Sequence, residues 1–291
     1  MIITKENAVN KVIITTESCA DLTEELMNEF GLKTVPMHIN FPEKSYDDGQ
    51  IPVERIYDYY TREKRLPKTS AVNPDEFKRF FESILADNED ADIIHISYSS
   101  EASCTFQNAC IGIRSMPNVH LVDSKSVSGG LGNLAVKAAQ LARDNPGAGW
   151  EKVYEMIMSF VGRVKTSFIP GNLDYLVAGG RVSNAAAIGA TILRLKPQIN
   201  IINGKLIAVR KHRGKMSRIA EKYMRDFIAE ENFGREIIYI LFSLGVEQEV
   251  LNKMKAVAKE LGFKRIELLQ TGCVMSTHSG PGAIGLSGIT A

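Results

Sequence analysis

Hydroxyl side chains gather in two short stretches of this sequence. The first, ISYSSEASCTFQNA from Ile96 to Ala109, sets Ser99, Ser100, Ser103 and Thr105 between an apolar run and a segment of helical character. The second, KTSAVNP from Lys68 to Pro74, puts Thr69 and Ser70 just ahead of another helix start. A hydroxyl donates as well as accepts, and a helix N-terminus adds free backbone N–H groups and partial positive charge. That combination suits an anion such as a carboxylate or a phosphate. One of the serines would cap its helix in any case, which accounts for one or two of the four hydroxyls in the first stretch.

The third chemical feature is HSGPGAIG, from His278 to Gly285. Its glycines match G-x-G-x-x-G, the pattern that cradles a dinucleotide pyrophosphate. That pattern has meaning only between a strand and a helix of a βαβ unit. Only Leu286 to Ala291 follow, too few for that helix, and no further strand is expected after it. The expectation is instead that the glycines bring a flexible turn close to a ligand and that His278 faces it. A similar near-match, Gly130-x-Gly132-x-x-Ala135, lies too far beyond Asp123 to make a tight turn.

Cationic groups complete the inventory. Arg181 follows Gly179-Gly180 and suits an anion clamp, a partner contact or a plain surface charge. Lys205, Arg210, Lys211, Arg213, Lys215 and Arg218 form a basic cluster in an otherwise balanced chain. It reads either as a solvated hairpin and helix start or as a docking surface for an acidic protein or a phosphorylated ligand.

The elements that must position these groups follow from periodicity and punctuation. Lys11–Thr16, Lys33–Phe41, Asp92–Ser97 and Asn118–Asp123 read as strands. Helices are expected after Ser18 with a stop at Gly31, at Glu54–Lys64, from Asn73-Pro74-Asp75-Glu76 onward, from Thr105, from Gly132, and over Trp150–Val164. Alternation of strand and helix favours a mostly parallel sheet flanked by helices. Beyond Lys165 the texture changes. Asn203-Gly204 between two β-rich runs is a strong hairpin signal, and EIIYILF, a helix near Val246–Leu261 and RIELLQ follow. The expected fold is therefore α/β, with an N-terminal domain over residues 1–165, an α+β domain over 166–291, and a ligand cleft between them.

Composition narrows the function class. The 291 residues are 44% hydrophobic and 24% charged with a net charge of +1, so nothing in the balance points to nucleic acid. No signal peptide and no span of roughly 18 apolar residues is expected, which suggests a cytoplasmic protein. Cys19, Cys104, Cys110 and Cys273 have no metal-binding spacing and are expected to be reduced, buried thiols. Neither a metal nor an organic cofactor is implied.

Several ordered stretches together resemble the DegV family: TTESCADL (Thr15–Leu22), YDDG (Tyr46–Gly49), TSAVNPDEF (Thr69–Phe77), SSEASCTFQNA (Ser99–Ala109), VDSKSVSGGLG (Val122–Gly132), LDYLVAGGRVS (Leu173–Ser183) and STHSGPGAIGL (Ser276–Leu286). The resemblance implies a two-domain carrier that binds a long-chain fatty acid between its domains. In the bacterial fatty-acid kinase system such a carrier presents the acyl carboxylate to a separate ATP-dependent kinase subunit and performs no catalysis itself. It implies Thr69 and Ser103 as carboxylate ligands, with Ser70 and Ser100 beside them. His278 would be the histidine of the H-x-G-x-G turn. Arg181 would serve the head group or the partner, and Arg210, Lys211 and Arg213 the docking of the kinase subunit. The sequence departs from the family where Glu17-Ser18 replaces the frequent DS, and where Ser103-Cys104-Thr105-Phe106 replaces S-G-T-Y. Two other readings remain: a substrate subunit like that of dihydroxyacetone kinase, whose histidine engages a small ketone, and a nicotinamide enzyme using the Gly130 loop. A long apolar tunnel favours the carrier and a small polar pocket the kinase-type subunit.

Overall fold

The computed structural model describes residues 11–182 and 195–291. Four parallel strands, β1 (Lys11–Glu17), β2 (Lys33–Val35), β6 (Ala91–Ser97) and β7 (Val119–Asp123), form a sheet in the order β2-β1-β6-β7. Every residue of β6 is buried, which is why it reads as one continuous apolar run. The helices of this half include α1 (Glu24–Phe30), capped by Thr23 and stopped by Gly31 at φ 62°, and α3 (Pro74–Ala86). The α3 start carries the expected capping box, with Asn73 and Glu76 each accepting the other's backbone N–H. Phe77 and Phe81 of α3 pack edge-on against His95.

The second sheet has six strands in the order β10-β9-β8-β13-β11-β12: β8 (Val164–Ile169), β9 (Leu195–Ile202), β10 (Lys205–Arg213), β11 (Ile237–Phe242), β12 (Arg265–Gln270) and β13 (Ile284–Ile289). Asn203 and Gly204 both take positive φ, 49° and 84°, as the tight β9–β10 turn requires. Helices α8 (Met216–Glu230) and α9 (Gln248–Glu260) close a separate core around Tyr223, Phe227, Ile240 and Met254. A small third sheet, β4-β3-β5, is made of β3 (His38–Asn40), β4 (Ser45–Asp47) and β5 (Lys68–Ser70).

Helix α5 (Gly129–Asp144) joins the two large sheets, packing on β1 of one and on β8 and β13 of the other. Its glycines permit that approach: a Cβ on Gly130 would fall 2.1 Å from Ser126 Oγ and Thr166 Oγ1, and one on Gly129 2.2 Å from Leu241. The near-fingerprint here is therefore a close-packing device, with no room for a pyrophosphate over these glycines.

Several expectations are corrected. The single strand over Lys33–Phe41 breaks near Pro36, which has no N–H to donate; β2 joins the parallel sheet and β3 the small one. The helix expected to reach Val164 is α6 (Gly149–Val161), and Val164 opens β8. A strand does follow the His278 turn: β13 lies between β8 and β11 and pairs antiparallel with both. Antiparallel pairing needs no crossover helix, so β13 enters the sheet without one. Only Cys19 and Cys273 are buried; Cys104 and Cys110, at the start and on the outer side of α4 (Thr105–Gly112), are exposed. The stretch beyond Val182 in the GGRVS motif, residues 183–194, lies outside the described residues.

Candidate functional site

A cavity of about 940 Å³, counting its opening to solvent, is lined by residues of the small sheet, of the six-stranded sheet and of the loop that follows β6. Most of its wall is apolar, including Phe168, Leu176, Leu206, Leu241, Phe242 and Ile284. The sequence-derived candidates Thr69, Ser70, Ser103, Arg181 and His278 all line it.

Thr69 on β5 and His278 in α10 (Cys273–Ser279) meet with Oγ1 and Nε2 2.9 Å apart. The imidazole fits because α7 (Leu173–Gly179) ends in glycine: a Cβ on Gly179 would lie 2.4 Å from His278 Nδ1. Burial, and secondarily the Arg181 guanidinium, push the His278 pKa down to about 4. The ring is therefore neutral at pH 7, and one nitrogen carries the proton. Nδ1 is sealed without a partner. With the proton on Nε2, that N–H donates to Thr69 Oγ1 and the Thr69 O–H is left to donate into the cavity.

Ser103 Oγ accepts the Thr105 backbone N–H at 3.2 Å, fastening the start of α4, while its own O–H stays available. Behind this loop the buried Glu17 accepts from Ser97 Oγ (2.8 Å), from the Tyr98 backbone N–H (2.7 Å) and from Thr105 Oγ1 (3.4 Å). The Glu17 departure from the family pattern thus ties β1 to the end of β6 and to the first turn of α4. Ser99 donates across to the Gly204 carbonyl of the β9–β10 turn at 2.8 Å.

The remaining candidates divide. Ser70 Oγ accepts from Asn40 Nδ2 at 2.9 Å. Ser100 does not line the cavity: its N–H donates to Asp123 and its Oγ accepts from Lys125 Nζ at 3.0 Å. Arg181 donates to the Gly179 carbonyl at 2.6 Å. Arg210 is held by Asp226 and Glu230 of α8 at 3.3 and 2.6 Å, whereas Lys211 and Arg213 are exposed away from the cavity.

Three features escaped sequence reasoning. Tyr98 and Ser128 line the cavity, and Ser279, also lining it, has a sealed Oγ with no partner. Ser128, at φ 50°, donates to the buried Asp21 at 2.5 Å. Asp21 also accepts the Gly272 N–H at 2.8 Å, and Asp48 of the YDDG motif accepts the Val274 N–H at 3.3 Å, so two carboxyls hold the start of the helix that carries His278. Burial raises the Asp21 pKa to about 8 against the pull of those hydrogen bonds, and burial raises that of Asp48 as well. The positive-φ backbone of Asp21 and Ser128 was the sign that could not be read from residue type. Among the described residues no cluster of three or more His, Cys, Asp or Glu side chains can hold a metal ion, and no helix is long and apolar enough to cross a membrane.

Residues 11–291 match the family described as "Uncharacterised protein, DegV family". A DegV domain-containing protein of Caldanaerobacter subterraneus subsp. tengcongensis is 32% identical over 96% of this chain and 98% of its own length. Among solved structures, the fatty-acid-binding DegV family protein of Thermus thermophilus superposes with a TM-score of 0.85 at 25% identity, covering 97% of this chain and 100% of that one. A DegV lipid-binding protein of Thermotoga maritima does so with a TM-score of 0.79 at 26% identity, over 95% and 97% of the two chains.

Proposed function

This chain belongs to the DegV family, and on that premise we propose that it binds a long-chain fatty acid in the cavity, with the carboxylate at Thr69, Ser103 and His278. The observation that carries the reading is the lining itself: hydroxyls, an imidazole and Arg181 set into a mostly apolar wall. Burying a methylene is worth about 0.8 kcal/mol, so some fifteen of them contribute roughly 12 kcal/mol before the cost of ordering the chain. A hydrogen bond to the charged head nets about 1.5–3 kcal/mol. The tail therefore sets affinity and the polar group sets where the head sits. An apolar lining of this extent supports the carrier over a subunit built for a small ketone.

On the same reading the protein is a cytoplasmic, non-catalytic carrier of two domains, residues 1–165 and 166–291. It presents the carboxylate to a separate ATP-dependent kinase subunit that forms acyl phosphate, needing no cofactor of its own. His278 keeps the head in a reactive pose, and Lys211 and Arg213, exposed on an edge strand, are the cations offered to the partner. The test is reconstitution with such a kinase subunit and palmitate. Acyl phosphate that forms with the wild type and is lost on reversing Lys211 and Arg213, at unchanged palmitate affinity, supports the presenting role. Turnover indifferent to those charges contradicts the docking assignment.

A further inference from the structure

The geometry points to Tyr98 as a further head-group ligand, its phenol donating to the carboxylate of the bound acid; this rests on the fatty-acid reading. Tyr98 follows β6 directly, and its backbone is pinned by the 2.7 Å bond to Glu17. The side chain is only 6% exposed and lines the cavity. Among the described residues nothing hydrogen-bonds its hydroxyl, and the oxygen is not one of the sealed, partnerless atoms. What remains accessible of this side chain therefore opens on the cavity. An enclosed tyrosine hydroxyl ordinarily finds a partner, and phenylalanine would fill the same apolar volume, so packing alone gives no reason for the oxygen.

The surrounding charges agree. Burial raises the phenol pKa well above its usual value, with Cys19, Asp21 and Glu17 acting in the same direction and Arg181 against them. The hydroxyl thus keeps its proton at neutral pH and lies within electrostatic reach of both the Arg181 guanidinium and the Asp21 carboxyl. It is placed to donate to an anion that Arg181 also attracts.

The test is Tyr98→Phe in the full chain, titrated with palmitate and with hexadecanol, which has the same chain and an uncharged head. Palmitate binding is expected to weaken about ten- to a hundredfold, because a bond to a charged acceptor is lost, and hexadecanol binding by less than about tenfold. Unchanged palmitate affinity, or an equal loss for both ligands, overturns the assignment while leaving the fatty-acid reading intact. A wild-type protein that takes up neither ligand removes that reading and this one with it.

Discussion

Thr69 Oγ1 and His278 Nε2 lie 2.9 Å apart although 209 residues separate them in the chain. The contact joins the small three-stranded sheet to the short helix preceding β13, and it sets which of the two groups addresses a ligand. With a neutral His278 donating, the threonine hydroxyl is aimed and the imidazole does the aiming. Thr69→Ala should then weaken palmitate binding by about one to two orders of magnitude. His278→Ala should weaken it by less than about tenfold and reduce acyl phosphate formation with a kinase subunit far more, since a mispositioned carboxylate meets the kinase in an unreactive pose. Fluorescent fatty-acid titration beside a coupled acyl phosphate assay separates the two. The division of labour fails if His278→Ala abolishes binding and Thr69→Ala binds normally.

Gly179→Ala should move the imidazole without touching either hydroxyl. Its Cβ would stand 2.4 Å from His278 Nδ1, so the ring or the end of α7 must shift. Overpacking of this kind costs about 1–3 kcal/mol. Thermal denaturation should show that loss, and acyl phosphate formation should fall as it does for His278→Ala. A variant with wild-type stability and turnover would mean that the glycine has no such role.

The depressed His278 pKa makes stability pH-dependent in a definite direction. The unfolded chain takes up this proton below about 6.5, and the folded protein only near 4. The unfolded state thus binds more protons in that window, and stability declines as pH falls from about 6.5 toward 4, by at most about 3 kcal/mol from this group. Urea denaturation of the wild type and of His278→Gln across that range should show the wild type losing more stability. Parallel pH profiles would contradict the buried, neutral imidazole.

Asp21 gives the opposite slope. Its folded pKa is pushed up to about 8 by burial, so the folded state holds a proton that the unfolded chain releases near 4. The associated stability is present at low pH and is lost as pH rises through about 8. Asp21→Asn, which mimics the protonated carboxyl, should gain in melting temperature relative to the wild type between about pH 5 and 8, with the difference level above that. A difference independent of pH would show that Asp21 is ionised throughout.

Much of this arrangement was legible from local signals. The capping box at Asn73, the stop at Gly31 and the Asn203-Gly204 turn depend on neighbouring residues alone, and each stands as expected. Four of the five expected acyl ligands line one cavity. Ser100 was drawn in by its neighbours' residue types, but its bonds to Asp123 and Lys125 depend on where β7 ends. Tyr98 reads as one more apolar residue after a buried strand, and only the surrounding walls reveal that it lines the cavity. Residues 284–289 carry too little alternation to announce an inner strand, because Gly285 and Gly288 are needed there for close packing against Ser167 and Phe233.

The central claim, that the cavity holds a fatty acid by its tail with the head at Thr69, is met most directly by mass spectrometry of the lipids extracted from purified protein, followed by palmitate uptake into the stripped protein. The account predicts about one equivalent of a long-chain fatty acid in the extract and saturable re-uptake that Thr69→Ala weakens. An extract free of acyl chains, from a protein that also takes up no added palmitate, would contradict it.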